Sequence, residues 1–431
     1  MMIKKMIAAL SLTASSIIVA EVAQAPTLQM NGYASMVGAG AFQSNNSNGQ
    51  GGAQHIGLGA SNIYFTAKGV SASGFQYKWR VAMESYPGGK STSGNPIYFT
   101  QNYIEFGLVN AGIFQIGNLT GVEDTMTESG FNLMGGAMSI DGTFPNITNA
   151  AEGVISGAQM ASQTSKASKV VYYTPSLGGV TFGIAYTPNT TRMGTGGRDN
   201  SGGSGDNTYG NESGVYPDKK VAAYGMHNVA VGVKYVNDFK AWNMALAAVI
   251  IAEQSKRGKQ GNLEVDKNLE FYKYTGVNNG RTAQFTAAVG FDQWRFATGL
   301  ILNGRARLPK TEGYNAGDAG KAWNFGAQYT VGAYQFALGY FKTMRELPRI
   351  PAAANGSYNS VGGKAESDVV SATVDFNALQ GLKFFGEVDF FNSRTSKEYA
   401  KFVKQTDKVS KRSTITDNAG TAVIVGTKLS F

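Results

Sequence analysis

Residues 75–84 of the chain read FQYKWRVAME, and the order of these side chains decides the fold class. Tyr77 and Trp79 stand on one phase of a period of two, whereas Lys78 and Arg80 stand on the other. Successive side chains of a β-strand point to opposite faces, so this alternation predicts a strand with one apolar and one polar face. Such a strand is expected to separate an apolar environment from an aqueous one.

The same alternation recurs along nearly the whole chain, for example at 180–187, 294–303 and 322–331. After the N-terminal region, no apolar run reaches the ~20 residues that a transmembrane helix needs. The pattern predicts sixteen strands, near 28–40, 62–70, 75–84, 98–109, 113–118, 169–174, 180–187, 228–236, 241–252, 281–291, 294–303, 322–331, 334–342, 367–376, 382–391 and 420–431.

The connections between these strands alternate between short and long. Long loops rich in Gly, Asn, Ser and charge are separated by short turns at 71–74, 110–112, 175–179, 237–240, 292–293, 332–333 and 377–381. An even number of antiparallel strands with short turns at one end and long loops at the other is typical of bacterial outer-membrane barrels. The sequence therefore predicts an all-β fold, a closed antiparallel transmembrane β-barrel of about 16 strands.

The composition of the 431 residues agrees with a membrane protein built of strands. Charged residues make up 16% of the chain and aromatic residues 11%, which fits neither a disordered chain nor an average soluble domain. The absence of cysteine excludes disulfides, thiolate metal sites and cysteine nucleophiles.

A soluble β-sandwich remains an alternative at this point, because the phase of the alternation does not tell which face meets lipid. The positions of aromatic residues favour the membrane. Trp242, Trp294 and Tyr334 directly follow short turns, and Trp323 and Tyr340 lie near long loops. Two such groups of aromatic residues are typical of the two interfaces of a membrane.

Residues 1–25 have the order of a secretory signal peptide, with a basic start, an apolar run and the triplet Ala-Gln-Ala at 23–25. Pro26 fits poorly behind a cleavage site, so cleavage after Ala20 is an alternative. A single membrane anchor is disfavoured because the apolar run is shorter than a span. The sequence predicts a signal peptide over 1–25 and one barrel domain over 26–431.

Two stretches and the last residue resemble the general trimeric porins of Gram-negative outer membranes. Residues 103–118, YIEFGLVNAGIFQIGN, resemble the strand–turn–strand that precedes the pore loop of that family. Residues 168–183, SKVVYYTPSLGGVTFG, resemble the return after the loop, and the terminal Phe431 is similar to the barrel-terminal assembly aromatic of the family. The family's short acidic-aromatic signature within the pore loop is missing, and FNLMGG at 131–136 stands there instead.

The resemblance implies a homotrimer in the outer membrane. Each subunit would form a water-filled channel for passive diffusion of small hydrophilic solutes and ions, with its third loop folded into the lumen. For the trimer contact, the small outward residues of the first strand are one interpretation, and plain contact with lipid is an equally good one; these residues are Gly32, Ala34, Gly38 and Gly40.

Charge patterning predicts where such a channel is narrowest. The segment 91–165 holds no Lys or Arg but several carboxylates, whereas the polar phase of the preceding strands is basic. Opposed charges across a narrow passage would favour polar solutes. A solvated outer surface is the alternative location of these acids. The predicted constriction consists of Lys68, Lys78, Arg80, Glu123, Asp124, Glu128 and Asp141.

The remaining basic excess, within a formal net charge of +9, lies in the long loops at 256–259, 305–310 and 394–412. Contact with lipopolysaccharide phosphates explains it best, and a nucleic-acid partner is not expected because stacking aromatics on a compact fold are missing. The loop cations favour anions at the channel mouth. Several acids on the lumen phase offset part of that preference, namely Glu105, Asp375, Glu387 and Asp389.

No catalytic, cofactor or metal site is expected. The chain has two histidines, His55 and His227, and lacks a Gly-x-Ser-x-Gly elbow. Two alternatives to a general pore remain open, a substrate-specific channel for a sugar, phosphate or other anion, and a surface adhesin without a pore. A sugar channel would show aromatic residues along the lumen, for which the scattered candidates are Tyr33, Tyr64, Tyr103 and Phe385.

Overall fold

The structure is a computed structural model, and it describes residues 24–45, 55–59, 61–85, 97–136, 142–151, 154, 164, 166–190, 223–257, 274–306, 308–311, 317–347, 349, 362–406 and 415–431. The predicted signal peptide lies outside these residues except for its last two, which begin the first strand. Asp141 of the predicted constriction also lies outside them.

Strands dominate the described residues. They are β1 (Gln24–Gln43), β2 (His55–Leu58), β3 (Ser61–Val70), β4 (Gln76–Ser85), β5 (Ile97–Leu108), β6 (Gly112–Asn118), β7 (Ser168–Tyr173), β8 (Val180–Asn189), β9 (Ala223–Asp238), β10 (Trp242–Arg257), β11 (Tyr274–Val277), β12 (Gly280–Phe291), β13 (Trp294–Leu302), β14 (Pro309–Thr311), β15 (Lys321–Val331), β16 (Tyr334–Glu346), β17 (Lys364–Leu379), β18 (Leu382–Thr395) and β19 (Asp417–Ser430).

Helical segments are few and short among the described residues. Between β6 and β7 lie α1 (Val122–Thr125), a 3₁₀ helix (Gly130–Leu133) and α2 (Phe144–Ile147), and α3 (Lys397–Thr406) follows β18. Among the described residues, no helix combines the length and hydrophobicity that crossing a membrane requires.

The strands form one closed antiparallel barrel. Seventeen strands belong to a single sheet, from which only β11 and β14 are separate. Because β2 and β3 pair with successive parts of β1, they act as one interrupted strand, and the barrel has 16 strands. Pairing of β1 with β19 closes the ring, where Gly32 and Phe431 exchange two backbone hydrogen bonds of 3.0 Å. The predicted fold is confirmed.

The two faces of the barrel differ as the alternation requires. On β15, Trp323 and Phe325 are 42% and 41% exposed, whereas Asn324 between them is fully buried. Trp294 and Tyr334, which follow short turns, are likewise exposed. The apolar phase therefore faces outward, where lipid covers it, and the polar or small phase faces the interior.

Chain reversal at the short-turn end depends on local backbone chemistry. Asp292 adopts a φ of 51° in the two-residue turn between β12 and β13. Asp and Asn tolerate this left-handed conformation better than other side chains that carry a Cβ. The strands extend beyond their predicted bounds mainly at the long-loop end, as in β10, which continues to Arg257. Apolar alternation fades there, so the sequence underestimates the length of the strands.

Candidate functional site

The connection between β6 and β7 enters the barrel. We call its described residues, 119–136 and 142–151, the inner loop. Its backbone bonds to inward-facing side chains of strands far around the ring, which places it inside the lumen. These hydrogen bonds join Glu128 N to Thr286 (3.2 Å), Gly130 N to Asn324 (2.8 Å), Gln328 to the Leu133 carbonyl (2.7 Å), Gly135 N to Thr373 (3.1 Å), Gly136 N to Asp375 (2.9 Å), and Ala151 N to Ser393 (3.0 Å).

Glycines on the barrel wall let the inner loop approach closely. A Cβ placed on Gly183 would lie 2.6 Å from the Met126 sulfur, and one on Gly232 would lie 2.8 Å from it. The backbones of Gly130 in the inner loop and Gly326 in β15 are in direct contact. A Cβ on either glycine would lie within 2.6 Å of a backbone atom of the other. Real Cβ atoms do not approach this closely, so side chains at these positions would push the loop away.

The far part of the inner loop is held by polar and apolar contacts together. Asp375, which is 1% exposed, accepts from Gly136 N and pairs with Lys383 at 2.6 Å. The Asn418 amide donates to the Asn149 carbonyl at 2.7 Å. The apolar part of this contact buries Leu133, Phe144 and Ile147 of the loop with Phe385, Phe391 and Ile424 of the wall.

The hydrogen bonds of the inner loop thus reach from β7, where Lys169 donates to the Leu119 carbonyl, round to Gln43 of β1. Between 119 and 151, no described residue hydrogen-bonds to β3, β4 or β5. We call the inward faces of these three strands the open wall. Farther along the same connection between β6 and β7, Lys166 forms a salt bridge with Glu84 of β4.

The structure brings together the three cations that the sequence assigns to the constriction. Lys68 and Lys78 are register partners on β3 and β4, and Arg80 is the next inward residue on β4. Lys78 pairs with Glu105 at 2.7 Å. The Arg80 guanidinium lies 4.5 Å from the centre of the Tyr64 ring, and its Nε is buried without a hydrogen-bond partner.

The acids of the inner loop are placed differently from the prediction. Glu123 is fully buried and accepts a hydrogen bond from Thr164, so it does not line the passage. Glu128 pairs with Arg295 of β13. Asp124 is half-buried. These carboxylates therefore do not form a row of charges opposite the open wall. Glu123 is buried away from the lumen, and Glu128 is paired with a cation of the far wall.

Glu128 nevertheless lies across the lumen from the open wall. Counted along the sheet, β13 is eight strands from β4 in a ring of 16, which is the opposite side. Arg295 of β13 pairs with Glu128, and Lys234 of β9 interacts electrostatically with it. Sequence reasoning missed both cations, because nothing in the sequence indicates that the loop reaches β9 and β13.

A closed membrane-spanning barrel whose lumen is narrowed by an internal loop defines an outer-membrane channel. The comparisons with known proteins agree. The chain belongs to the Gram-negative porin family, whose sequence profile matches residues 7–396. The resemblance inferred from the sequence is confirmed, and so is the prediction of an outer-membrane porin.

Solved structures share the fold at low sequence identity. The anion-selective porin from Comamonas acidovorans is 14% identical with a TM-score of 0.55, covering 94% of this chain and 100% of its own. In-vitro folded OmpT of Vibrio cholerae, described as a trimer form, is 13% identical with a TM-score of 0.52, covering 95% and 100%. The outer membrane channel DcaP of Acinetobacter baumannii is 9% identical with a TM-score of 0.51, covering 94% and 97%. No curated protein matches by sequence.

Proposed function

We propose that this porin passes small hydrophilic solutes and ions by passive diffusion between the inner loop and the open wall. The observation that supports this most directly is the position of the loop. It is fastened along the ring from β7 to β1 by hydrogen bonds and glycine contacts, and its described residues form no hydrogen bond to the polar inward faces of β3, β4 and β5. A barrel of 16 strands is wide enough for a water-filled channel.

We place the constriction between two groups of charges. On the open wall stand Lys68, Lys78 and Arg80, and on the far side stands Glu128 with its neighbouring cations. Cations outnumber carboxylates here, so the proposed preference is for anions. Asp124 and Asp141 complete the proposed set, and Glu123 is removed from it because it is buried.

We also propose that three such barrels assemble as a homotrimer. Small outward residues of β1, such as Gly38 and Gly40, leave space for close approach, since a Cβ on Gly40 would meet no atom within 4 Å. Lipid and lipopolysaccharide would surround the trimer, with export guided by the cleaved signal peptide over 1–25. Electrophoresis of unheated and heated samples tests the assembly, and a single unheated band at monomer size would contradict it.

The proposal of a passive channel without enzymatic activity is tested with purified protein in liposomes. Swelling rates are measured for a series of neutral sugars and amino acids of increasing size. A rate that depends only on size supports a general pore, whereas saturation by one solute supports the substrate-specific alternative. Absence of swelling and of ion conductance would contradict both and favour the adhesin.

A further inference from the structure

A set of tyrosines and cations runs along the inward face of the barrel from β19 through β1 and β3 to β4 of the open wall. Lys428 Nζ lies 3.8 Å from the centre of the Tyr33 ring, and Arg80 lies 4.5 Å from that of Tyr64. The Asn62 amide nitrogen donates to both tyrosine hydroxyls, at 3.1 Å and 2.9 Å. We call these five residues the tyrosine–cation strip. It crosses β19, β1, β3 and β4 on the inward phase.

The two cations of the strip have no salt bridge, unlike several other interior cations. Lys78, Arg295 and Lys383 each form a salt bridge with a carboxylate. Within the described part of the chain, no carboxylate oxygen lies within the 4.0 Å salt-bridge limit of Arg80 or Lys428. Each of these two cations therefore contacts an aromatic ring and forms no salt bridge with a carboxylate in direct contact.

The chemistry of Arg80 limits the solutes that would bind. Its guanidinium uses one face on Tyr64, and its donors lie at the edge of the plane, where a carboxylate is bound in bidentate geometry. Tyr103, the register partner of Arg80 on β5, packs against the apolar cluster that contains Leu119 and Val122 and lies under Lys78. We therefore assign the aromatic surface for a solute at Arg80 to the rings of the strip itself, Tyr64 and Tyr33. A solute with a carboxylate on an aromatic ring would use both features at once.

Other solutes would use only part of this surface. Acetate and chloride offer charge without a ring, neutral sugars offer no charge, and cations are repelled. The second aromatic-backed cation, Lys428, extends the attraction along the wall. Phe385, a further lumen aromatic in the sequence analysis, does not contribute, because it is buried against the inner loop.

We propose that the tyrosine–cation strip is a binding site for small aromatic carboxylates on their way through the channel. This proposal rests on the proposed function, since it assigns a preferred solute class to the same passage. Binding at the strip would retain an aromatic carboxylate in the constriction and would let it compete with chloride.

Single-channel recording in planar bilayers with benzoate and acetate as probes tests the proposal on the unmodified protein. Benzoate is expected to reduce the chloride current in a saturable way, whereas acetate at equal concentration is expected to add to the current. Equal effects of the two probes would overturn the strip and leave the porin function intact. Absence of any chloride conductance would instead overturn the proposed function.

Three variants locate the effect. Tyr64→Leu is expected to raise the half-blocking benzoate concentration about three- to tenfold, the factor that corresponds to one aromatic contact. Tyr64→Phe keeps the ring and should retain the block, and Tyr334→Leu removes an outward tyrosine as a matched control. Heat-dependent migration checks folding of each variant. An unchanged block in folded Tyr64→Leu would overturn the assignment to this strip.

Discussion

The wall under the inner loop and the open wall are built from the same strand pattern but from different inward residues. Under the loop, the inward phase is small, as at Gly183, Gly232 and Gly326, and its charges are paired, as between Asp375 and Lys383. On the open wall the inward phase is long, and it includes aromatic-backed cations. The size of the inward-facing side chains thus distinguishes the sector of the wall that packs against the loop from the sector that faces water.

This difference has a physical cause. A loop packed against a wall must satisfy its backbone groups and fill space without voids, which favours small residues and single polar anchors. A wall that faces water needs no such fit, so long charged and aromatic side chains are tolerated there. Breaking or exchanging these features should change the channel in graded ways.

The largest effect is expected from Gly326→Leu, which breaks the close contact under the loop. The new side chain would meet the Gly130 backbone of the inner loop, and overpacking of this kind costs about 1–3 kcal/mol. The inner loop should lose its packing contact with β15, so the single-channel conductance should change and fluctuate. Gly57→Leu is the control, because Gly57 is an inward glycine with no atom within 4 Å of an added Cβ. If both variants show the same single-channel conductance without added fluctuation, the contact between Gly326 and Gly130 does not hold the loop in place.

The second effect concerns the open wall. Changing Lys78 and Arg80 together to Glu should invert the preference from anions to cations, because the wall beside the passage becomes acidic. Reversal potentials in a salt gradient measure this. The matched control is Lys321→Glu with Lys364→Glu, two exposed residues at the long-loop ends of β15 and β17. If selectivity is unchanged in the first pair, the constriction lies elsewhere.

A smaller effect is expected at the anchor of the loop tip. Asp375→Asn keeps an oxygen for Gly136 N but removes the charge that pairs with Lys383, so anion preference should rise while the current stays quiet. Asp375→Ala also removes the acceptor of the half-buried Gly136 N, and a donor left without a partner costs at most about 1–3 kcal/mol. Current noise should therefore increase only in the Ala variant. Equal noise in both variants would show that Asp375 does not hold the loop.

The sequence predicts the barrel well because alternation is local. Each of the sixteen predicted strands is present, and even the seam at Phe431 follows from the apolar phase of the last strand. The interruption between β2 and β3 was not predicted, since no residue pattern marks it. The separate β11–β14 pair was not predicted either, because its two strands lie within long connections that show no alternation of apolar and polar residues.

The site is predicted only in part, because it depends on contacts between distant segments. Lys68, Lys78 and Arg80 share a hairpin, so their grouping follows from the turn between β3 and β4. The stacking of Lys428 on Tyr33 joins opposite ends of the chain and appears only when the barrel closes. The partner of Glu128 could not be foreseen either, since its β13 partner depends on the path of the inner loop.

The smallest effect is expected from a change in ionic strength, which should weaken the influence of unpaired charges on anion preference more than that of paired charges. Raising the salt from 0.1 M to 1 M shortens the screening length from about 10 Å to about 3 Å. The unpaired charge of Arg80 acts on ions across that range, whereas the Glu128–Arg295 pair is already neutralised at contact. Anion preference from reversal potentials should therefore weaken as salt rises, and the inverted preference of the Lys78→Glu, Arg80→Glu variant should weaken in parallel. A preference that does not change with salt in either protein would mean that the width of the passage selects the ions, and that the charge of the open wall does not.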